Sequence, residues 1–476
     1  MIGTDSSLRK WLLPALVAFN LVLKLSWTGV NELSGDEPFT VYWAQRPLVE
    51  LFRMLRTENN PPLYFLIMHG WSTWVPLDLA WLRVPSALFS ALTAWPLFLL
   101  GRRLGGTTLA VTAVLLYTFS QHNYAFAHEV RGYSLLVLAC TWCMWELLRL
   151  GHESERHPAV RAISIRWLVA ANVLATWAHY FGWLVVGLEL ILVFSMPLLR
   201  PIRVKMMAAA SITLLCSIPW MGVLLSRAGT SLSQGTWLGT PGWEEPYNMV
   251  VRWANAPVVA VLFLALIALA MARRRGPDPQ LGMPLAWTAV PLLGMFLVSF
   301  QYPVYLDRYL LFASTGFYLL VAAAAGFVPG PRLVRQLVSA ACVIAMAVTF
   351  KPWAGNGHRP SRVAAQVEAW REGPTAVIIQ PAWYHITYGW ALDPALYTGV
   401  APMDLALRER LVFPVMGNEP PVLDSTIATV VHIDAWMSLT DPEHAVLQEL
   451  RSRFVQVDSV EADRKILVRH FRKPPG

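Results

Sequence analysis

Four short stretches place ionisable side chains where a long apolar run begins or ends. They are Asp36-Glu37 in SGDEPFTVYWA (34–44), Glu129 and Arg131 in AHEVRGYS (127–134), His179-Tyr180 in WAHYFGW (177–183), and Asp307-Arg308-Tyr309 in YLDRYLL (305–311). A carboxylate near a hydroxyl can act as a general base. A guanidinium can hold a phosphate bidentately and stabilise charge growing on it. Each stretch also has a plain structural reading. GDEP is a sound helix start, with a carboxylate cap and Pro in the first turn. Glu129 and Arg131 read equally as an exposed ion pair of little energetic worth. Arg308 reads as a partner of Asp307 or as a headgroup anchor, and His179 as a hydrogen-bonded residue at a helix break.

The surrounding chain weighs against coincidence. Its 476 residues are 55% hydrophobic and 14% charged, with mean hydropathy +0.45. A soluble enzyme of this length would carry about 25% charged residues. Apolar runs recur from Trp11 to Phe350, so the chain reads as a polytopic helical membrane protein. The net charge of +8 comes mostly from cations flanking those runs, where they act as topology signals rather than as a nucleic-acid surface. Cys140, Cys143, Cys216 and Cys342 all lie inside apolar segments, and CTWC at 140–143 reads as packing rather than a redox dithiol. The first run follows Arg9 and Lys10 like a signal peptide. It is long and no small-x-small cleavage site follows, so an uncleaved helix is expected.

Spanning candidates are 11–28, 84–101, 107–124, 133–149, 167–199, 206–225, 257–272, 284–300, 309–328 and 336–350. The run 167–199 would be ~50 Å as one helix against a hydrocarbon core of ~30 Å, so it must be two spans broken near His179-Tyr180. If PPLYFLIMHGWSTWVP (61–76) lies in the interface rather than spanning, every basic cluster becomes cytoplasmic: Arg9/Lys10, Arg102/Arg103, 149–166, 200–205, Arg273–Arg275 and Arg332/Arg335. The expectation is about eleven spans, N-terminus cytoplasmic and C-terminus outside. A large first external loop, 29–83, holds two interfacial helices. From Lys351 the composition changes. TAVIIQ (375–380) and TIATVVHI (426–433) read as buried strands, DPEHAVLQELRSRF as a helix capped by its Asp, and the tail as a hairpin. The expected organisation is a transmembrane part, 1–350, and a soluble α/β extracytoplasmic domain, 351–476.

In that topology all four stretches reach the outer leaflet, where ionisable groups ordinarily face a cavity or pathway. Sugar transfer from a polyprenyl-phosphate donor fits such a site. The lipid stays in the bilayer, the phosphate leaves without a general acid, and only the acceptor hydroxyl needs a base. One base opposite the leaving group implies inversion.

The ordered series GDEPFTVYWA, NNPPLYFLIMHGW, LRVPSALF, GRRLGG, HEVRGYSLLVLA, AHYFGW and DRYLLF, over roughly residues 10–325, resembles the GT-C superfamily of membrane glycosyltransferases. The branch is that of the bacterial relatives of protein O-mannosyltransferases and of the lipid A aminoarabinose transferase. The resemblance implies that Asp36 is the base and that Glu129, Arg131, Tyr133, Arg308 and Tyr309 belong to the site. The family often has His-Pro-Pro where this chain has Asn60-Pro61-Pro62, a departure that bears on Asn60 as a substrate contact. In the combined reading Glu37 supports Asp36 or caps its helix. Glu129 orients the acceptor or ligates a metal, Arg308 with Arg131 holds the donor phosphate, and His179, Tyr180 and Tyr309 add hydrogen bonds. Asp36 and Glu129 are possible ligands for Mg²⁺ or Mn²⁺, although two acids make no metal motif.

The partners implied are a polyprenyl-phosphate sugar, a glycan, lipid or protein acceptor, and membrane lipid, at a bacterial inner membrane. Two other classes remain open. A transporter or flippase of lipid-linked intermediates would use midplane acids, of which Glu189 is the one to claim. A non-catalytic scaffold would merely present the C-terminal domain.

Overall fold

A computed structural model describes residues 6–474 except 59, 157–163, 235–237, 275, 277 and 399–402. Of the basic clusters used above, Arg275 and residues 157–163 lie outside the described residues. The chain divides into two compact units, one comprising Met1–Trp27, Val49–Ile67 and Arg83–Pro352, the other Thr28–Leu48, Met68–Leu82 and Trp353–Gly476.

Helices make up the first unit, and its apolar runs all fold as helix. Glycines decide where these turn. The runs 84–101 and 107–124 are separated at Gly105-Gly106, where Gly106 has φ +86° and ψ −172°, a conformation closed to side-chain-bearing residues. The two arms then approach closely enough that a Cβ on Gly101 would sit 2.8 Å from the Cα of Ala110. The run 167–199 breaks where expected. Helix Arg166–Ala178 ends at His179, which is extended (φ −160°, ψ 144°), and helix Gly182–Ser195 follows. A Cβ on Gly182 would lie 2.4 Å from the carbonyl carbon of Ala175, so glycine is what lets the second helix start against the end of the first.

Among the described residues six helices are long and apolar enough to cross a membrane, or seven if the pair Glu245–Trp253 and Pro257–Arg273, bent by 98°, is one span. Eleven were expected. Part of the difference is the divided run, whose helices of 13 and 14 residues are each only ~20 Å long. The span Asp307–Ala325 is 89% buried and lies at the centre, whereas Arg332–Thr349 is 17% buried and presents most of its surface outward. Cys140 and Cys143 are buried thiols in the main apolar core. Glu189 is 1% exposed and accepts a hydrogen bond from Asn172 Nδ2 at 2.9 Å. Glu146 pairs with Arg149 at 2.6 Å. The acid that a transporter would claim, Glu189, is thus engaged at Oε2, while its Oε1 is buried without a hydrogen-bond partner among the described residues.

Helix Leu63–Ser72 has 10 residues, ~15 Å, too short to span. Among the described residues between 29 and 83 three short helices, rather than two, precede helix Leu79–Leu92: Glu37–Ala44, Leu48–Leu55 and Leu63–Ser72. The additional one, LVELFRML, buries Leu51, Met54 and Leu55. Its charges at Glu50 and Arg53 mask that stripe in the sequence.

The second unit carries a five-stranded sheet of order β2-β1-β3-β5-β4, from β1 (Thr375–Gln380), β2 (Val412–Pro414), β3 (Thr429–Asp434), β4 (Val455–Asp463) and β5 (Ile466–Arg472). The pairs β1–β2 and β1–β3 are parallel, and β4–β5 is the expected hairpin. β1 is buried along its whole length, as its unbroken apolar run requires. The helix expected from Asp441 begins later, at Ala445. The Asp441 carboxylate still caps it, accepting from the N–H groups of Ala445 (2.9 Å) and Val446 (3.1 Å).

Candidate functional site

Within the first unit, loops far apart in sequence converge on one polar and aromatic cluster. The HEVRGY loop makes a tight turn, with the Arg131 N–H donating to the Glu129 carbonyl at 2.7 Å. His128 Nε2 is hydrogen-bonded to the Lys24 carbonyl at 2.7 Å, and Ser86 Oγ donates to the Arg131 carbonyl at 3.3 Å. A Cβ on Gly132 would come 2.9 Å from the Ala178 carbonyl oxygen, so this loop packs backbone to backbone on the helix break at 179. These restraints hold the Arg131 side chain, which is 8% exposed and donates from Nη2 to Asn60 Oδ1 at 2.9 Å. Asn60 thus acts here as a support for Arg131.

The break at 179–181 supplies the ring at the cluster's middle. His179 stacks on Phe181, with centroids 5.2 Å apart and planes inclined by 14°. Tyr133 lies 5.5 Å away and Tyr309 5.7 Å away. Phe181 also meets Tyr309 at 4.6 Å, and the Arg308 guanidinium lies over its own neighbour Tyr309 at 5.6 Å. The plain reading of Arg308 as a partner of Asp307 is not realised. That carboxylate pairs with Arg252 at 2.6 Å and accepts only the backbone N–H of Arg308, at 2.8 Å.

Burial, and secondarily the Arg131 and Arg308 guanidiniums, pushes His179 down from 6.5 to about 3. Its Nδ1 accepts the Phe181 N–H at 3.3 Å, which leaves the proton of the neutral ring on Nε2. With a folded value below the unfolded one, this group weakens the folded state as pH falls from about 6.5 toward 3, and has no such effect above that window. His179 is therefore expected to stay neutral throughout the working range. A profile of kcat/KM between pH 5.5 and 8.5 should keep its shape in His179→Gln. A limb near 6.5 that vanishes in the variant would show that the ring titrates during turnover.

Tyr180 turns away from this cluster. Its hydroxyl accepts from Trp220 Nε1 at 3.1 Å, and it lines a groove with Pro61, Pro62, Trp177, Trp183 and Trp220. Successive residues of one break thus serve two places, His179 in the cluster and Tyr180 in an aromatic groove.

Asp36 and Glu37 belong to the second unit. Gly35, at φ +60°, turns the chain into helix Glu37–Ala44. Asp36 holds the N-cap position with helical angles (φ −87°, ψ −7°) and no capping bond from its side chain. The local role goes instead to Glu37, 4% exposed, whose Oε2 accepts the Ser34 N–H at 3.4 Å. Capping therefore does not account for the Asp36 carboxylate.

No group of three or more His, Cys, Asp or Glu side chains is gathered to hold a metal ion among the described residues. The contact of Asn60 with Arg131 and the packing of Phe181 were not anticipated from sequence. The only signal for the second was the density of rings in WAHYFGW.

No family model and no curated protein matches the chain. Solved structures do. ArnT from Cupriavidus metallidurans bound to undecaprenyl phosphate aligns with TM-score 0.59 at 12% identity, covering 98% of each chain. The archaeal oligosaccharyltransferase AglB from Archaeoglobus fulgidus, in complex with an inhibitory peptide and a dolichol-phosphate, aligns with TM-score 0.56 at 9% identity, covering 94% of this chain and 73% of that one. The chain thus has the GT-C fold that its motifs implied, in a multi-pass helical membrane protein with a small C-terminal sheet.

Proposed function

We propose that this protein is a glycosyltransferase that moves a sugar from a polyprenyl-phosphate donor to an acceptor hydroxyl at the outer face of a bacterial inner membrane, with inversion. The observation that carries this reading is the pair of guanidiniums, Arg131 and Arg308. They come from segments about 180 residues apart: Arg308 lies over Tyr309, which packs 5.7 Å from His179, and the loop of Arg131 packs against the helix end just before His179. Two positive charges beside a neutral donor, in a mostly aromatic enclosure, make a site for an anion that gains charge during reaction. The solved proteins of like fold carry undecaprenyl phosphate and dolichol-phosphate, ligands with that chemistry.

In this reading the C1–O bond to the donor phosphate breaks as the acceptor oxygen attacks from the opposite face. The bonding pair leaves with the phosphate, whose charge Arg308 and Arg131 stabilise, and the acceptor proton passes to Asp36. Glu37 keeps the turn before the helix in shape, and Glu129 orients the acceptor. Tyr133, His179 and Tyr309 wall the phosphate site, Asn60 holds Arg131, and Tyr180 belongs to the adjoining groove. Residues 1–350 form the transmembrane part, with the N-terminus cytoplasmic, and 351–476 the extracytoplasmic domain. The sugar is a hexose or pentose.

The test is reconstitution in liposomes with a panel of radiolabelled polyprenyl-phosphate sugars and an envelope lipid extract. Label should move to acceptor with release of polyprenyl phosphate, and the product should have the opposite anomeric configuration. A retained configuration would overturn the single displacement with Asp36 as base, and no transfer from any donor while the folded protein moves intact lipid-linked sugar across the bilayer would overturn the reading in favour of a flippase.

A further inference from the structure

We propose that Glu32 is a positioning residue, which ties the loop carrying Asp36 to the C-terminal segment by capping one of that segment's helices. The idea deepens the functional reading above and rests on Asp36 being the base.

The reason starts with a helix lacking its own cap. Helix Pro360–Ala369 has Arg359 at its N-cap position, and Arg359 makes no side-chain cap because a guanidinium has no acceptor atom. The exposed N–H groups of a first turn need acceptors and favour negative charge. Glu32, 329 residues earlier, supplies both. Its Oε2 accepts the Ser361 N–H at 2.9 Å and its Oε1 accepts the Ser361 hydroxyl at 2.7 Å. The arrangement is a cap donated from a distant part of the chain.

Neighbouring bonds follow the same line. Arg359 Nη1 donates to the Val30 carbonyl at 3.2 Å and lies 4.0 Å from the Glu32 carboxylate. The Asn356 N–H donates to Asn31 Oδ1 at 2.7 Å, and Asn356 Nδ2 to Ser34 Oγ at 3.4 Å. Beyond Asp36, Tyr42 meets Tyr397 edge to face at 5.4 Å. The stretch from Val30 to Tyr42 is therefore gripped at both ends by residues from the last quarter of the chain, with Asp36 between the grips. Because Gly35 gives the turn before Asp36 freedom that other residues lack, the upstream grip limits where the carboxylate can go. A general base must lie within hydrogen-bond reach of its proton, and small displacements of such a group are costly to rate.

The experiment uses the full-length protein in liposomes. Glu32→Ala should lower kcat about ten- to a hundredfold while the Kd for donor phosphate stays within about twofold. Glu32→Gln, which keeps a carbonyl acceptor, should recover most of the loss. Ser361→Ala, which removes the hydroxyl and keeps the N–H, should reproduce part of it. The double variant should be no worse than the more damaging single one. Normal kcat in Glu32→Ala, or parallel loss of kcat and donor affinity, or additive losses in the double variant, would overturn the proposal. Failure of the underlying reading looks different. If Asp36→Asn turns over normally the base assignment falls, whereas an inactive Asp36→Asn beside a normal Glu32→Ala leaves the base standing and removes only the tether.

Discussion

Asp36→Asn should lower kcat about 10²- to 10⁴-fold, the range for losing a positioned general base, with little change in the Kd for polyprenyl phosphate. The substitution keeps size and shape and removes the negative charge together with the capacity to take a proton. Because the Asp36 side chain makes no capping bond, loss of a helix cap should not confuse the result. Glu37→Gln is the natural control. Its carboxylate already accepts the Ser34 N–H, a bond that a glutamine carbonyl can replace, so a loss of no more than about tenfold is expected. Single-turnover rates with a labelled donor, beside equilibrium binding of the same lipid, separate the two quantities. Undiminished turnover in Asp36→Asn would remove the proposed base.

The second large effect is at the leaving group. Arg308→Ala should lower kcat/KM for the donor about 10²- to 10³-fold, comparable to removing a preorganised donor from an oxyanion site. Donor binding should weaken as well, because the phosphate is charged before the reaction and more charged during it. The adjacent carboxylate, Asp307, is held by Arg252 at 2.6 Å, so Arg308→Ala should leave that ion pair in place. Arg308→Lys keeps the charge but loses the planar fork, and should recover only part of the rate. Binding of labelled polyprenyl phosphate together with initial rates would check this. Unchanged donor affinity and rate in Arg308→Ala would place the phosphate elsewhere.

Some features were legible because local chemistry demands them. A run of 33 apolar residues cannot cross ~30 Å as one straight helix, so the break at His179-Tyr180 could be read directly, and Gly182 shows how it is built. TAVIIQ could be read as a buried strand because an unbroken apolar run of that length suits the middle of a sheet. Where charges interrupt an amphipathic stripe, as in LVELFRML, the pattern hid an eight-residue helix. The start of helix Ala445–Arg453 was misplaced because an Asp four residues upstream can cap as well as an adjacent one when the intervening turn folds back.

The residues with chemical capacity, their order along the chain and the apolar helices that bring them to a membrane surface were written in the sequence, because composition and periodicity act locally. Which of them meet was decided only by tertiary packing. Asn60 holds Arg131, Arg252 rather than Arg308 takes Asp307, and Glu32 caps a helix that begins 328 residues later. Such pairings depend on three-dimensional proximity and on which buried donor would otherwise go unsatisfied, and neither quantity has a signature in the local order of amino acids.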